Sequence, residues 1–113
     1  MNNMKQYIKE VLSESLEYAL YQAEEDTRDL KDDGACNFDK CLVKKPETVT
    51  YAEFDEILNS VGTPFERMRG MYRGFYMIGA LHGMGNRNTE YARRLAELLE
   101  EECFDTSVFY QID

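Results

Sequence analysis

Pro64-Phe65-Glu66-Arg67-Met68-Arg69-Gly70-Met71-Tyr72-Arg73-Gly74-Phe75-Tyr76-Met77-Ile78-Gly79 is the stretch whose reading decides the fold. Two signals compete in it. Thr63, Pro64 and Glu66 have capping-box spacing with proline at the first helical position, which argues for a helix. Gly70, Gly74 and Gly79 argue against one, because each costs a helix interior ~1 kcal/mol relative to alanine. Phe75 to Ile78 are strand formers, and the glycines ahead of them supply a turn. The stretch 64–82 therefore reads as an antiparallel hairpin, and the chain as α+β.

Before the hairpin, residues 3–31 read as one long amphipathic helix. Met4, Tyr7, Ile8, Val11, Leu12, Leu16, Ala19, Leu20, Ala23 and Leu30 recur at spacings of three and four. Acids near its end oppose the helix dipole, so the last turn is expected to fray. Asn37-Phe38-Asp39 is a turn-forming loop, and Leu42-Val43 runs into Lys44-Lys45-Pro46 as a connection. Thr50-Tyr51-Ala52-Glu53 is a capping box opening a short second helix with Phe54, Ile57, Leu58 and Val61 on its apolar face. Beyond the hairpin, 89–102 reads as a third helix with Thr89 as its N-cap. Residues 104–112 read as a final C-terminal strand. The expectation is a single α+β domain: a long N-terminal helix, a short second helix, an antiparallel β-hairpin, a third helix and a last strand.

The 113 residues carry a net charge of −9, which argues against general affinity for nucleic acid. That charge is unevenly spread. Between residues 64 and 94, Arg67, Arg69, Arg73, Arg87, Arg93 and Arg94 face only Glu66 and Glu90, and every lysine lies before residue 46. Arginine's rigid fork suits bidentate contact with phosphate or carboxylate. No apolar run approaches the ~20 residues of a membrane span. The opening Met1-Asn2-Asn3-Met4-Lys5 lacks the layout of a signal peptide, and three cysteines are an odd number for a disulfide scaffold. A cytoplasmic protein is expected.

The most suggestive constellation is Gly83-Met84-Gly85-Asn86-Arg87-Asn88-Thr89 running into a helix. Helix N-termini offer unpaired N–H groups and partial positive charge to an anion. Asn86, Asn88 and Thr89 add neutral hydrogen bonds, and Arg87, Arg93 and Arg94 add charge. The same residues also read as a glycine turn, a capped helix and solvated arginines, since a lone Gly-x-Gly is a weak motif. Asn37, Phe38 and Asp39 form a second candidate, with Phe38 stacking on a ring and its neighbours bonding to it; a turn anchored by one aromatic is the plainer reading. Cys36, Cys41, His82 and Cys103 are zinc-ligand types, but only the first two have suitable spacing. No metal, cofactor or catalytic residue is assigned.

Three segments, Gly34-x-Cys36-Asn37-Phe38-Asp39, Gly83-x-Gly85-Asn86-x-x-Thr89 and the ending Phe109-Tyr110-Gln111-Ile112-Asp113, resemble a group of small proteins of phages and mobile elements of gut Firmicutes. The resemblance covers residues 34–113. This chain departs from the group at Lys40-Cys41, where Ser-Pro is usual, and at Glu101-Glu102-Cys103, where a glycine turn is usual. The resemblance implies two helices, a hairpin, a third helix and a final strand. It also implies a mobile-element setting in which small acidic proteins counter host defence.

Three functions follow as expectations. In the first, the protein binds a phosphate-bearing small molecule, such as a nucleotide signal of bacterial immunity, without converting it. Arg87, Asn88, Thr89, Arg93 and Arg94 would hold its anionic part and Asn37, Phe38 and Asp39 its base or ribose, in a site completed across a homodimer. In the second, an anti-CRISPR-like inhibitor, the acidic faces of helix 3–31 and of 97–105 occupy a basic groove on a host defence enzyme. In the third, weaker reading, a small hydrolase or nuclease uses Asp39, His82 and another acid.

Overall fold

A computed structural model describes residues 3–31, 39–80 and 85–110. Along the chain run helix α1 (Asn3–Thr27), strand β1 (Lys40–Lys44), helix α2 (Tyr51–Val61) and strand β2 (Phe65–Arg67). A single 3-10 turn (Gly70–Tyr72), strand β3 (Phe75–Ile78), helix α3 (Asn86–Glu101) and strand β4 (Thr106–Phe109) follow. The fold is α+β, and the deciding stretch is the expected hairpin: Phe65 pairs with Ile78, Glu66 with Met77 and Arg67 with Tyr76. Gly70 and Gly74, both at positive φ, let its connection turn where a side chain would strain the backbone.

The four strands form one antiparallel sheet in the order β2-β3-β1-β4. Cys41, Val43, Tyr76 and Ile78 point from one face into the core, where they meet Leu16, Ala19 and Ala23 of α1, Phe54, Ile57 and Leu58 of α2, and Leu95, Leu98 and Leu99 of α3. All three helices therefore cover that face. Their capping follows the sequence closely in α2: Thr50 Oγ1 accepts from the Glu53 amide at 3.1 Å, and Glu53 returns the bond to the Thr50 amide at 2.8 Å.

Strand β1 is the principal departure from the sequence reading, which took Leu42-Val43 as part of a connection. It is an interior strand, paired on both sides. Its run Cys41-Leu42-Val43 is buried without alternation because both faces of the sheet are covered. Leu42 points away from the helices, in the row formed with Glu66, Met77 and Ser107. On that second face Tyr72, from the hairpin connection, packs edge-on against Phe109 at 5.7 Å.

Boundaries also shift. α1 ends at Thr27, whose hydroxyl bonds back to the Ala23 carbonyl at 2.7 Å, so Leu30 lies beyond the helix and is exposed. Glu24, Glu25 and Asp26 crowd that terminus, which is the charge arrangement expected to fray it. α3 begins at Asn86 with Gly85 as its N-cap, so Thr89 is not the cap. β4 is confined to four residues, with Phe104 buried ahead of it. No helix among the described residues is long and apolar enough to cross a membrane.

Candidate functional site

The start of α3 is held by hydrogen bonds within the protein. Asn88 is buried and donates through Nδ2 to the Asp39 carbonyl at 2.9 Å, while Thr89 Oγ1 donates to Asp39 Oδ2 at 3.0 Å. The two segments singled out in the sequence, the Asn-Phe-Asp loop and the helix start, thus meet at Asp39. Asp39 itself is buried. The contact fastens the entrance of β1 to the first turn of α3. Asn37 and Phe38 lie outside the described residues.

The α3 arginines are engaged in the same way. Arg87 Nη2 bonds Glu24 at 3.2 Å, and Arg94 Nε bonds Asp26 at 2.7 Å, both acids belonging to α1. Arg94 also reaches Glu97 at 3.2 Å, and Arg93 reaches Glu90 at 3.1 Å. The hydrogen bond from Arg94, with a second from Gln22, holds the Asp26 carboxyl below the usual carboxylate range. Arg87 Nε is buried and has no partner among the described residues. These arginines clamp α3 to α1 and to its own surface acids. Asn86 is exposed, and with Glu90, Leu30 and Lys31 it lines a depression of ≈ 420 Å³ at the helix start.

The other three arginines stand elsewhere. Arg67, Arg69 and Arg73 belong to the hairpin and line a groove of ≈ 800 Å³ on the second face of the sheet, together with Met77 of β3 and Phe109 of β4. Met77 and Phe109 alternate with core-facing Ile78 and Val108, so they form the groove's apolar floor. Arg67 is committed: its guanidinium forks onto Asp55 at 3.3 and 2.5 Å, and lies over the Tyr51 ring at 5.0 Å. Asp55 also accepts from the Tyr76 hydroxyl at 2.6 Å. The Arg67 hydrogen bond, helped by that of Tyr76, holds the Asp55 carboxyl below its ordinary value. Desolvation and then the Asp55 bond push the Tyr76 phenol upward, so Tyr76 stays a donor.

Arg69 and Arg73 are exposed and form no ion pair among the described residues. They are two cations of the groove left to meet an outside anion, beside Glu66 and an apolar floor that accepts a ring or a short chain. The sequence reading included both in the arginine-rich segment but placed the site at Arg87, Arg93 and Arg94. One signal separates the two groups. Arg93 and Arg94 each have a glutamate three residues away on the same helix, Glu90 and Glu97, and that spacing forms ion pairs on a helix, whereas the acid three residues before Arg69, Glu66, lies on strand β2, and Arg73 has no acid within four residues.

Among the described residues no three of His, Cys, Asp and Glu converge in a way that could hold a metal ion. Cys36 and His82 lie outside those residues. Burial pushes the Cys41 thiol far up, so it behaves as a core side chain. In comparison with known proteins, no family model, no curated protein and no solved structure matches this chain.

Proposed function

We propose that this protein binds a phosphate-bearing small molecule without converting it, and that it does so in the groove on the second face of the sheet. The observation that carries the reading is the pair Arg69 and Arg73, without ion-pair partners among the described residues, on the rim of an apolar floor made by Met77 and Phe109. Two guanidinium forks suit a phosphate group, and the thioether and ring suit the flat part of a nucleotide. Arg67, locked on Asp55, gives the groove a fixed wall while its charge is spent on that acid. In the mobile-element setting that the resemblance implies, the cargo is a nucleotide signal of host immunity.

The test is thermal unfolding against a panel of nucleotides and cyclic nucleotides. A ligand at a hundredfold excess over its dissociation constant stabilises the fold by ~2.7 kcal/mol, a rise in Tm on the order of 10 °C. One compound is expected to give that shift, and Arg69→Ala with Arg73→Ala to abolish it. No shift across the panel, or a shift that survives both substitutions, removes this site from consideration.

A further inference from the structure

The back of α1 carries a stripe that no described residue covers. Met4, Tyr7, Val11, Tyr18 and Tyr21 are all exposed, Met4, Tyr7 and Tyr21 by more than 60%. With Glu14 they follow one another at alternating steps of three and four residues. That is the a/d repeat of a coiled coil, and it runs the length of the helix opposite the buried Leu16, Ala19 and Ala23. Helices that merely cover a core need one apolar face, and α1 has two.

Charge identifies what fits there. The two lysines of α1 lie on its other side, where Lys5 bonds Glu53 at 3.2 Å and Lys9 meets Glu56 at 3.6 Å, both on α2. The stripe keeps Glu14 within it and Glu10 and Glu17 along its flank, while Glu25 at its end is paired with Arg28. A second copy fits badly. Antiparallel pairing matches Met4 to Tyr21 and Tyr7 to Tyr18, but sets Glu10 opposite Glu17 twice; parallel pairing sets Glu14 against Glu14. An anionic membrane surface is repelled by the same acids.

We propose that the back of α1 is a docking surface for a helix of another protein, one with an apolar a/d seam flanked by lysine or arginine. The tyrosines supply wide, stiff contact area at low entropic cost and keep their hydroxyls at the seam's edge. The flanking glutamates set the partner's charge and hasten its approach.

A labelled synthetic helix of about three heptads, with leucine at a and d and lysine at e and g, serves as the probe in an anisotropy titration with the full chain. A peptide of the same composition with its leucines off the seam is the control. Sedimentation equilibrium on the protein alone reports self-association. The expected result is saturable binding of the seam peptide, at least about tenfold tighter than the control, by a protein that sediments as a monomer. Tyr7→Gln with Tyr18→Gln, exposed positions that leave the core intact, is expected to weaken it at least about tenfold while circular dichroism stays unchanged. Equal binding of the two peptides, binding of neither, or a dimer that the double substitution dissolves would each overturn the proposal, the last by making a second copy the occupant.

Discussion

Asn88 and Asp55 show how much the meaning of a polar side chain depends on what the fold sets against it. Asn88 sits in the segment that most resembled a ligand loop, yet its amide is spent on the Asp39 carbonyl in a buried contact. Removing it leaves a buried acceptor short of a donor, at a cost of ~1–3 kcal/mol. Asn88→Ala is therefore expected to lower the unfolding free energy by that amount, read as a lower urea midpoint at unchanged m, without altering ligand affinity in the groove. Asp55 is the converse case, a carboxylate on a helix surface that fixes Arg67 and Tyr76. Its folded pKa lies below the unfolded value, so the stability it lends is complete above pH ~4 and is lost as pH falls through the folded value. The stability difference between wild type and Asp55→Asn, followed by urea unfolding, should be constant from pH 7 to 5 and shrink below pH 4. A difference that grew on acidification would contradict the Arg67–Asp55–Tyr76 arrangement.

Among the elements, α2 and β1 mark the two extremes of legibility. α2 is announced by a local code: Thr50 and Glu53 cap each other, and four apolar residues fall on one face, so a few neighbouring residues suffice to define it. β1 has no such code. Its five residues begin and end in lysine, its run Cys41-Leu42-Val43 shows no alternation, and its strand state depends on β3 and β4, which lie far along the chain. The hairpin was readable because glycine and aromatic placement decide it locally. Its crossing of the second sheet face was not, since only Tyr72 against Phe109 reveals it. This difference is measurable. Thr50→Ala removes a surface cap at ~1 kcal/mol, while Leu42→Ala empties a fully buried site in the middle of the sheet at ~2–5 kcal/mol. Urea unfolding of the two variants should rank them in that order; the reverse order would mean that β1 is peripheral to the stability of the sheet.

At the scale of the whole molecule the arginine-rich segment 64–94 divides into two groups with different surroundings, a division that charge counting along the chain cannot show. Charge counting along the chain finds six arginines together; folding sends three to α3, where α1 supplies acids, and three to the hairpin, where Asp55 of α2 is engaged with Arg67 and Glu66 lines the same groove. The helical acids, in excess over the helical bases, thus tie down the α3 arginines, while Arg69 and Arg73 stand in the groove beside Glu66 without an ion pair among the described residues. Two paired substitutions separate the two groups. Arg87→Gln with Arg94→Gln breaks both ties between α3 and α1; at ~0.2–1 kcal/mol for each partly exposed pair, the Tm falls by a few degrees while groove binding is unchanged. Arg69→Gln with Arg73→Gln breaks no ion pair among the described residues, so the Tm holds and ligand binding is lost. Raising the salt concentration should act in parallel, narrowing the Tm gap between wild type and the first variant because exposed pairs are screened. If the α3 pair instead abolished binding while the hairpin pair left it intact, the anion would belong at the helix N-terminus after all, and the groove would be only the space beneath an arch.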